Sequence, residues 1–222
     1  MIPLRDHNPT RHFPIVTVSL IAINVAVFAL INLRGDQAAH LAYSMVPAEI
    51  AGKVEKTIPA PPPMVSIFTS MFLHGGWMHI IFNMWTLWIF GNNLEDALGR
   101  GKYLALYVFW GYLAAWSHIA FNWDSVIPTV GASGAIAGVM GAYLVLFPHA
   151  RIDCMLTFFV ITFVEVPAIF FLIFWITLQF FQGNPGVAYL AHIGGFVAGW
   201  LTLKIAGGQR ILGHRIHYDH DD

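Results

Sequence analysis

The sequence predicts an all-α, polytopic membrane protein whose fold is a bundle of six transmembrane helices. Composition, apolar runs and the placement of basic residues support this prediction. Of the 222 residues, 57% are hydrophobic and only 10% are charged, and the mean hydropathy is +0.65. Soluble domains carry about 25% charged residues, so this chain is expected to lie in a lipid bilayer. The net charge of −1 offers no basic face, and we predict no nucleic-acid partner.

Six apolar runs approach the roughly 20 residues that a membrane-spanning helix needs. They lie at residues 15–33, 77–91, 103–121, 133–147, 156–180 and 187–205. The second and fourth runs are short, so we expect these two helices to be tilted, partly buried or longer by a turn. The first run is long and is not followed by a clear small-residue cleavage site, which favours an uncleaved signal anchor over a signal peptide.

The six runs divide the chain into three parts. Residues 1–14 form an N-terminal segment, residues 15–206 form the membrane domain, and residues 207–222 form a tail rich in His and Asp. The long outer connection at residues 34–76 is apolar yet contains three consecutive prolines, so we expect short helices at the membrane interface. The composition of the tail is compatible with weak metal binding, but we favour a solvated tail.

The basic residues predict the orientation of the chain. With a cytoplasmic N-terminus, eight of the 11 Lys and Arg residues fall inside and three outside: Arg5, Arg11, Arg100, Lys102, Arg151, Lys204, Arg210 and Arg215 against Arg34, Lys53 and Lys56. Cytoplasmic loops of membrane proteins carry this excess, so we predict both termini in the cytoplasm. Short loops and the lack of a targeting tract favour a bacterial inner membrane.

Four polar residues lie at similar depth in this topology. Ser133 opens the fourth span and His192 lies near the outer start of the sixth, while His79 and Asn83 lie in the outer half of the second. Because even-numbered spans run from outside to inside, all four residues are expected just below the outer surface. Polar groups inside a membrane are costly to bury, and they commonly mark a functional site.

Small residues would bring two of these polar groups together. Gly134 and Gly138 on the fourth span, and Gly195 and Gly199 on the sixth, form stripes that let membrane helices approach closely. A close crossing would put the Ser133 hydroxyl within reach of the His192 imidazole. A serine becomes a nucleophile when a base removes its proton, and histidine can do so near neutral pH.

The remaining polar groups suit the negative charge that develops during acyl transfer. His79 and Asn83 are spaced i, i+4 and present side-chain N–H groups on one helix face. The Ser133 backbone N–H, at a helix N-terminus, is a third donor for such an oxyanion hole. No acidic residue stands out as a third member of a triad, so we predict a Ser-His dyad that works without a cofactor or metal.

The chain resembles the rhomboid family of intramembrane serine proteases over residues 65–199. The matching motifs are, in chain order, Thr69-Ser70-Met71-Phe72-Leu73-His74-Gly75-Gly76-Trp77-Met78-His79 with Asn83, Phe90-Gly91 with Glu95 and Leu98-Gly99, Gly131-Ala132-Ser133-Gly134, and Ala191-His192-Ile193-Gly194-Gly195-Phe196. One departure is that the Trp-Arg pair found in the first outer loop of many members is missing.

The resemblance implies a six-helix bundle of rhomboid type around a short helix that carries Ser133 as nucleophile. It also implies His192 as base, His79 and Asn83 as oxyanion-hole residues, and single-span membrane proteins as substrates. The fifth span and the loop at residues 182–187 resemble the gate and cap of the family, although a lipid-facing surface is an equal interpretation of that span. The alternative function is a catalytically silent, rhomboid-like protein that binds membrane clients. A small transporter is disfavoured because no repeated halves are visible.

Overall fold

The computed structural model of the chain describes residues 1–157, 161–181 and 186–212, and the fold in this part is mostly helical. Its elements are, in chain order, β1 (Ile2–Asp6), α1 (Ile15–Asn32), α2 (Gln37–Tyr43), α3 (Pro47–Ile50), α4 (Pro63–Ser70), α5 (Trp77–Leu98), α6 (Arg100–Phe121), α7 (Ser133–Leu146), β2 (Arg151–Thr157), β3 (Ile161–Pro167), α8 (Ala168–Phe181) and α9 (Tyr189–Ile205), followed by a short 3-10 helix (Gly208–Leu212).

The long helices coincide with five of the six apolar runs. Helices α1, α6, α7 and α9 begin and end within three residues of the predicted spans, whereas α5 continues to Leu98 instead of ending at residue 91. Within the described residues, α1 and α6 are each long and apolar enough to cross a membrane, while α7 and α8 are apolar but shorter. The connection between α1 and α5 contains three short helices, as its sequence predicts.

A three-stranded antiparallel sheet corrects the all-α prediction. Strand β2 lies in the middle, paired with β1 on one side and β3 on the other. The fifth span, predicted at residues 156–180, is therefore wrong in its first half, because α8 begins only at Ala168. The run is strongly apolar, and hydropathy alone does not separate a strand from a helix. Its β-branched and aromatic residues favour a strand.

Strand β1 is hydrogen-bonded to the helices through Asp6 and Pro3. The Asp6 carboxylate accepts hydrogen bonds from Tyr143 Oη on α7, at 2.7 Å, and from Asn93 Nδ2 on α5, at 2.6 Å. Burial raises the pKa of the Asp6 carboxyl. Trp85 Nε1 on α5 donates to the Pro3 carbonyl at 2.7 Å. The N-terminal segment is therefore part of the fold, and the sheet lies beside α5.

Helix α7 is the centre of the bundle. Every residue from Gly134 to Leu146 is buried, which leaves this helix no face toward lipid. It packs closely against α9: a Cβ atom added to Gly195 would overlap the Gly134 carbonyl, and one added to Gly199 would overlap the Gly138 carbonyl. The prediction that the two glycine stripes permit a close helix crossing is confirmed.

Glu95, near the end of α5, caps the N-terminus of α1. Its carboxylate accepts hydrogen bonds from the backbone N–H groups of Val16 at 2.9 Å and Thr17 at 2.8 Å, and from Thr17 Oγ1 at 2.9 Å. The first N–H groups of a helix have no partner inside the helix, and α1 has no capping side chain of its own. The buried Glu95 carboxylate therefore joins the start of α1 to the end of α5.

Replacing Glu95 with alanine is expected to destabilise the protein by about 2 kcal/mol, because it leaves buried N–H donors of α1 without an acceptor. This corresponds to a melting temperature lower by roughly 4–8 °C, measured by thermal unfolding in detergent. Glu165→Ala is the control, since that exposed carboxylate pairs with the exposed Arg151 at 3.4 Å and should change little. Equal melting temperatures for the two variants would contradict the capping role.

Candidate active site

Ser133 and His192 meet at one end of the bundle. Ser133 is the first residue of α7, and His192 lies in the first turn of α9. The Ser133 Oγ and His192 Nε2 atoms are 2.8 Å apart, which is hydrogen-bonding distance. The pairing expected from depth and glycine spacing is therefore present, and it depends on the close contact of α7 with α9.

The other imidazole nitrogen of His192 is bonded to a residue that sequence reasoning missed. His192 Nδ1 lies 2.8 Å from Oε1 of Gln179 on α8, and the ring of Trp175 on the same helix lies 5.8 Å from the imidazole. Gln179 is buried, with 7% of its surface exposed. The available signal was a lone amide inside the very apolar fifth run, where polar side chains are costly.

His79 also faces the space beside Ser133. Its Nδ1 accepts a hydrogen bond from the Gly75 backbone N–H at 3.3 Å, so a neutral ring carries its proton on Nε2. A Cβ atom added to Gly131 would lie 2.7 Å from His79 Nε2 and 3.6 Å from Ser133 Oγ. The absence of a side chain at Gly131, whose φ is +124°, therefore keeps open a space between a ring donor and the serine oxygen.

Asn83 uses one of its side-chain N–H groups for a hydrogen bond within its own helix, α5. It is buried one turn along α5 from His79, and its Nδ2 donates to the His79 carbonyl at 2.9 Å. Within the part of the chain that the structure describes, no hydrogen bond joins Asn83 to Ser133 or His192. The oxyanion-hole role predicted for Asn83 therefore stays a prediction. The Ser133 backbone N–H lies at the start of α7, where helices leave donors free.

A third histidine near the site, His74, packs against His79. The two ring centroids are 5.0 Å apart, and His74 in the connection between α4 and α5 is only 1% exposed. Burial lowers the pKa of His74 to about 4, so its ring is neutral at physiological pH. His74 therefore adds no positive charge next to His79.

A group of possible metal ligands lies at the other end of α7. Among the described residues, His7, Asp153 and Glu165 hold ligand atoms within 4.8 Å of one another. Arg5 Nε lies 2.6 Å from Asp153, and this hydrogen bond holds the pKa of the carboxyl below its usual range. Arg151 lies 3.4 Å from Glu165. Because two guanidinium groups already neutralise the carboxylates, we assign no metal there.

Two expectations fall mainly outside the described residues. The loop interpreted as a cap covers residues 182–187, and residues 182–185 are not among those that the structure describes. The His- and Asp-rich tail is described only as far as Leu212, which excludes all three of its histidines.

The helical bundle holds a serine and a histidine in hydrogen-bonding contact. Comparison with known proteins identifies the family of membrane proteins to which the chain belongs. Residues 62–209 match the profile of the Rhomboid domain. This match covers more than half of the chain, so the protein belongs to the rhomboid family, whose members are polytopic helical membrane proteins. The recognition from sequence motifs is thereby confirmed.

Individual relatives agree with this assignment. The chain is 29% identical to Rhomboid protein 1, mitochondrial, of Saccharomyces cerevisiae, over 86% of this chain and 54% of the relative. It is 27% identical to Rhomboid protease GluP of Bacillus subtilis, over 90% of this chain and 38% of the relative. It is 25% identical to Rhomboid protease GlpG of Pectobacterium atrosepticum, over 84% and 60% respectively. The chain thus spans less than two thirds of the length of each of these relatives.

Proposed function

We propose that this protein is an intramembrane serine endopeptidase that cleaves transmembrane segments of membrane proteins. The observation that carries the proposal is the 2.8 Å contact between Ser133 Oγ and His192 Nε2, with the opposite imidazole nitrogen held by Gln179. A serine in contact with an oriented histidine base is the arrangement that activates a hydroxyl for attack on a carbonyl. Two of the relatives above are proteases by name.

The proposed reaction proceeds in two halves. Ser133 Oγ attacks the carbonyl carbon of the scissile peptide while His192 Nε2 takes the hydroxyl proton. His192 then gives this proton to the leaving amine, and the C–N bond breaks to leave an acyl-serine. Water, deprotonated by His192, attacks the ester, and the proton returns to Ser133 as the acid product leaves. No step requires a cofactor.

The negative oxygen of each tetrahedral intermediate would lie in the space that Gly131 leaves open. His79 Nε2–H faces this space, and Ser133 Oγ borders it. We propose the Ser133 backbone N–H, at the start of α7, as a second donor. We include Asn83 as a third donor, since it follows His79 by one turn on the same helix. Donors of this type are each worth a factor of about 10²–10³ in rate in known hydrolases.

For the topology, we propose six membrane spans formed by α1, α5, α6, α7, α8 and α9, within a membrane domain of residues 15–206. Residues 1–14 and 207–222 would be cytoplasmic, so Ser133 and His192 would lie toward the outer side of a bacterial inner membrane. We propose single-span proteins as substrates, because a lone helix can leave the lipid sideways and present its backbone to a site inside a bundle.

The first test is labelling with a fluorophosphonate probe, which reacts covalently with activated serines. We expect wild-type protein purified in detergent to be labelled and Ser133→Ala to show no labelling. Ser117→Ala is the matched control, because this half-buried serine also lies beside α9 but is not bonded to His192, and it should be labelled like the wild type.

Absence of labelling in a well-folded wild type, under conditions that label a known rhomboid protease, would overturn the proposal. That result would favour the alternative function, a catalytically silent protein that binds membrane clients. The melting temperatures of all three proteins should agree, which separates a missing nucleophile from a misfolded chain.

A further inference from the structure

We propose that Gln179 is a positioning residue for the base, because its side-chain amide fixes the tautomer and orientation of His192. This inference rests on the proposed function, since it concerns how the same serine and histidine are prepared for reaction. It adds a fourth helix, α8, to a site that is otherwise formed by α5, α7, α9 and the loop before α7. The hydrogen bonds at the two ends of the amide group support this role.

Both ends of the Gln179 amide are occupied. Its Nε2 donates to the Trp175 carbonyl one turn earlier on α8, at 3.1 Å, which leaves Oε1 directed at His192 Nδ1 at 2.8 Å. A 180° rotation of the amide would set an N–H group against His192 and leave the Trp175 carbonyl facing an oxygen. The helix backbone therefore determines which atom of the amide the imidazole contacts.

This orientation determines where the imidazole carries its proton. An amide oxygen only accepts hydrogen bonds, so His192 Nδ1 must be the protonated nitrogen. The Nε2 atom then has a free lone pair directed at the Ser133 hydroxyl, which is the tautomer that a general base requires. Without an acceptor at Nδ1, the proton would distribute between the two nitrogens, and a fraction of the molecules would be unable to accept the serine proton.

An amide suits this position better than the carboxylate of a soluble triad. A buried carboxylate inside a membrane protein carries a large desolvation cost, whereas an amide supplies the same acceptor without a charge. Within the described chain, no acidic residue is hydrogen-bonded to His192. The titratable side chains that act on it electrostatically are His79 on α5 and His118 on α6. Among the described residues, a carboxylate introduced at position 179 would therefore be the only anion hydrogen-bonded to the base.

The packing of Trp175 indicates that α8 orders the His192 ring through a second side chain. Its ring lies 5.8 Å from the imidazole at an interplanar angle of 37°, and it lies 6.2 Å from the Phe196 ring on α9. The indole therefore limits tilting of the imidazole, while the amide of Gln179 fixes its rotation. Ordering of the base depends on contact between α8 and α9.

The test compares Gln179→Leu, Gln179→Asn and Gln179→Glu with the wild type. Leucine keeps the approximate size but removes the acceptor, and asparagine keeps the amide but is one methylene shorter. We expect both to lower kcat for a membrane-protein substrate by about 10²-fold with little change in KM, because the base acts in the transition state. Thr177→Val is the matched control on α8, since this hydroxyl is exposed and, among the described residues, bonds only to its own helix at 2.7 Å.

Gln179→Glu provides a readout that a purely structural role would not change. It keeps an acceptor at Nδ1 and adds a negative charge that stabilises the imidazolium, so we expect substantial activity and an acid limb of the kcat–pH profile displaced to higher pH. A structural role predicts that leucine retains kcat and that glutamate leaves the profile unchanged. Either of these two results, in variants that melt like the wild type, would overturn the inference.

Nitrogen NMR of the histidines tests this inference independently of the proposed function. In ¹⁵N-histidine-labelled protein, His192 should show protonated Nδ1 and unprotonated Nε2, with this preference lost in Gln179→Leu. The spectrum does not depend on catalysis, so it remains informative if the fluorophosphonate probe fails to label the wild type. A His192 that is protonated on Nε2 in the wild type would overturn the inference even if cleavage is observed.

Discussion

Replacing His192 with alanine is expected to lower the rate of substrate cleavage by about 10⁴-fold. The imidazole Nε2 is the hydrogen-bond partner of the Ser133 hydroxyl at 2.8 Å, and within the described residues no other titratable side chain is bonded to that oxygen. Without it, the serine would have to lose its proton to water in a buried site. The measurement is kcat/KM for a membrane-protein substrate in detergent or liposomes, together with the rate of fluorophosphonate labelling.

The control for this prediction is His118→Ala. His118 is another half-buried histidine close to the site, but its ring nitrogens face Asn122 and Thr129, each at 3.4 Å, instead of Ser133. We expect this variant to retain activity within a few-fold of the wild type. If both histidine variants lost activity equally, the effect would come from packing at this end of the bundle, and the assignment of His192 as base would be wrong.

The His192→Ala variant should still fold. The substitution leaves Gln179 Oε1 without its partner, and an unpaired buried acceptor costs about 1–3 kcal/mol. We therefore expect a melting temperature below that of the wild type by roughly 2–12 °C. A folded but inactive variant would separate the chemical role of the imidazole from its contribution to stability.

The pairing of Ser133 with His192 could be predicted because two independent patterns define it. The alternation of spans sets the depth of both residues, and the glycines that follow each of them set how closely their helices approach. The first pattern depends on the number and order of the spans, and the second depends on residue spacing along single helices. The structure agrees with them because α7, buried on all sides, has α9 as a close neighbour.

The sheet could not be predicted because the third strand lies in an apolar run that resembles a membrane helix. Residues 156–166 are apolar and contain no charge except Glu165, so a hydropathy window treats them as part of a span. What separates β3 from α8 is Pro167, which ends one element immediately before Ala168 begins the next. Pairing of β2 with the N-terminal β1 is a long-range contact, and no periodicity within either segment shows it.

The contact between Gln179 and His192 was missed for a related reason. The two residues lie on different helices, and whether their side chains meet depends on how α8 packs against α9 rather than on their spacing in the sequence. Placing the fifth helix from residue 156 also gave α8 the wrong starting point. A search for a third triad member among acidic residues excluded the amide that the structure places on His192 Nδ1.

Gly199→Ala is expected to have the largest effect on stability among these variants, about 3 kcal/mol, or a melting temperature lower by roughly 6–12 °C. A Cβ at this position would overlap the Gly138 carbonyl oxygen and lie 2.6 Å from its carbon. The obstacle is backbone inside the buried helix α7, so no side chain can rotate away and the two helices must separate. The measurement is thermal unfolding of the purified protein in detergent.

Activity should fall with stability in Gly199→Ala, because the Ser133 Oγ and His192 Nε2 atoms belong to the two helices that are forced apart. A displacement of about 1 Å between reacting groups can lower a rate by about 10²-fold, so we expect a loss of this size even below the melting temperature. Gly101→Ala is the control, since a Cβ there meets no atom within 4 Å and should leave stability unchanged or slightly raised. If Gly199→Ala kept both wild-type stability and wild-type kcat, close packing of α7 on α9 would not be what holds the base against the serine.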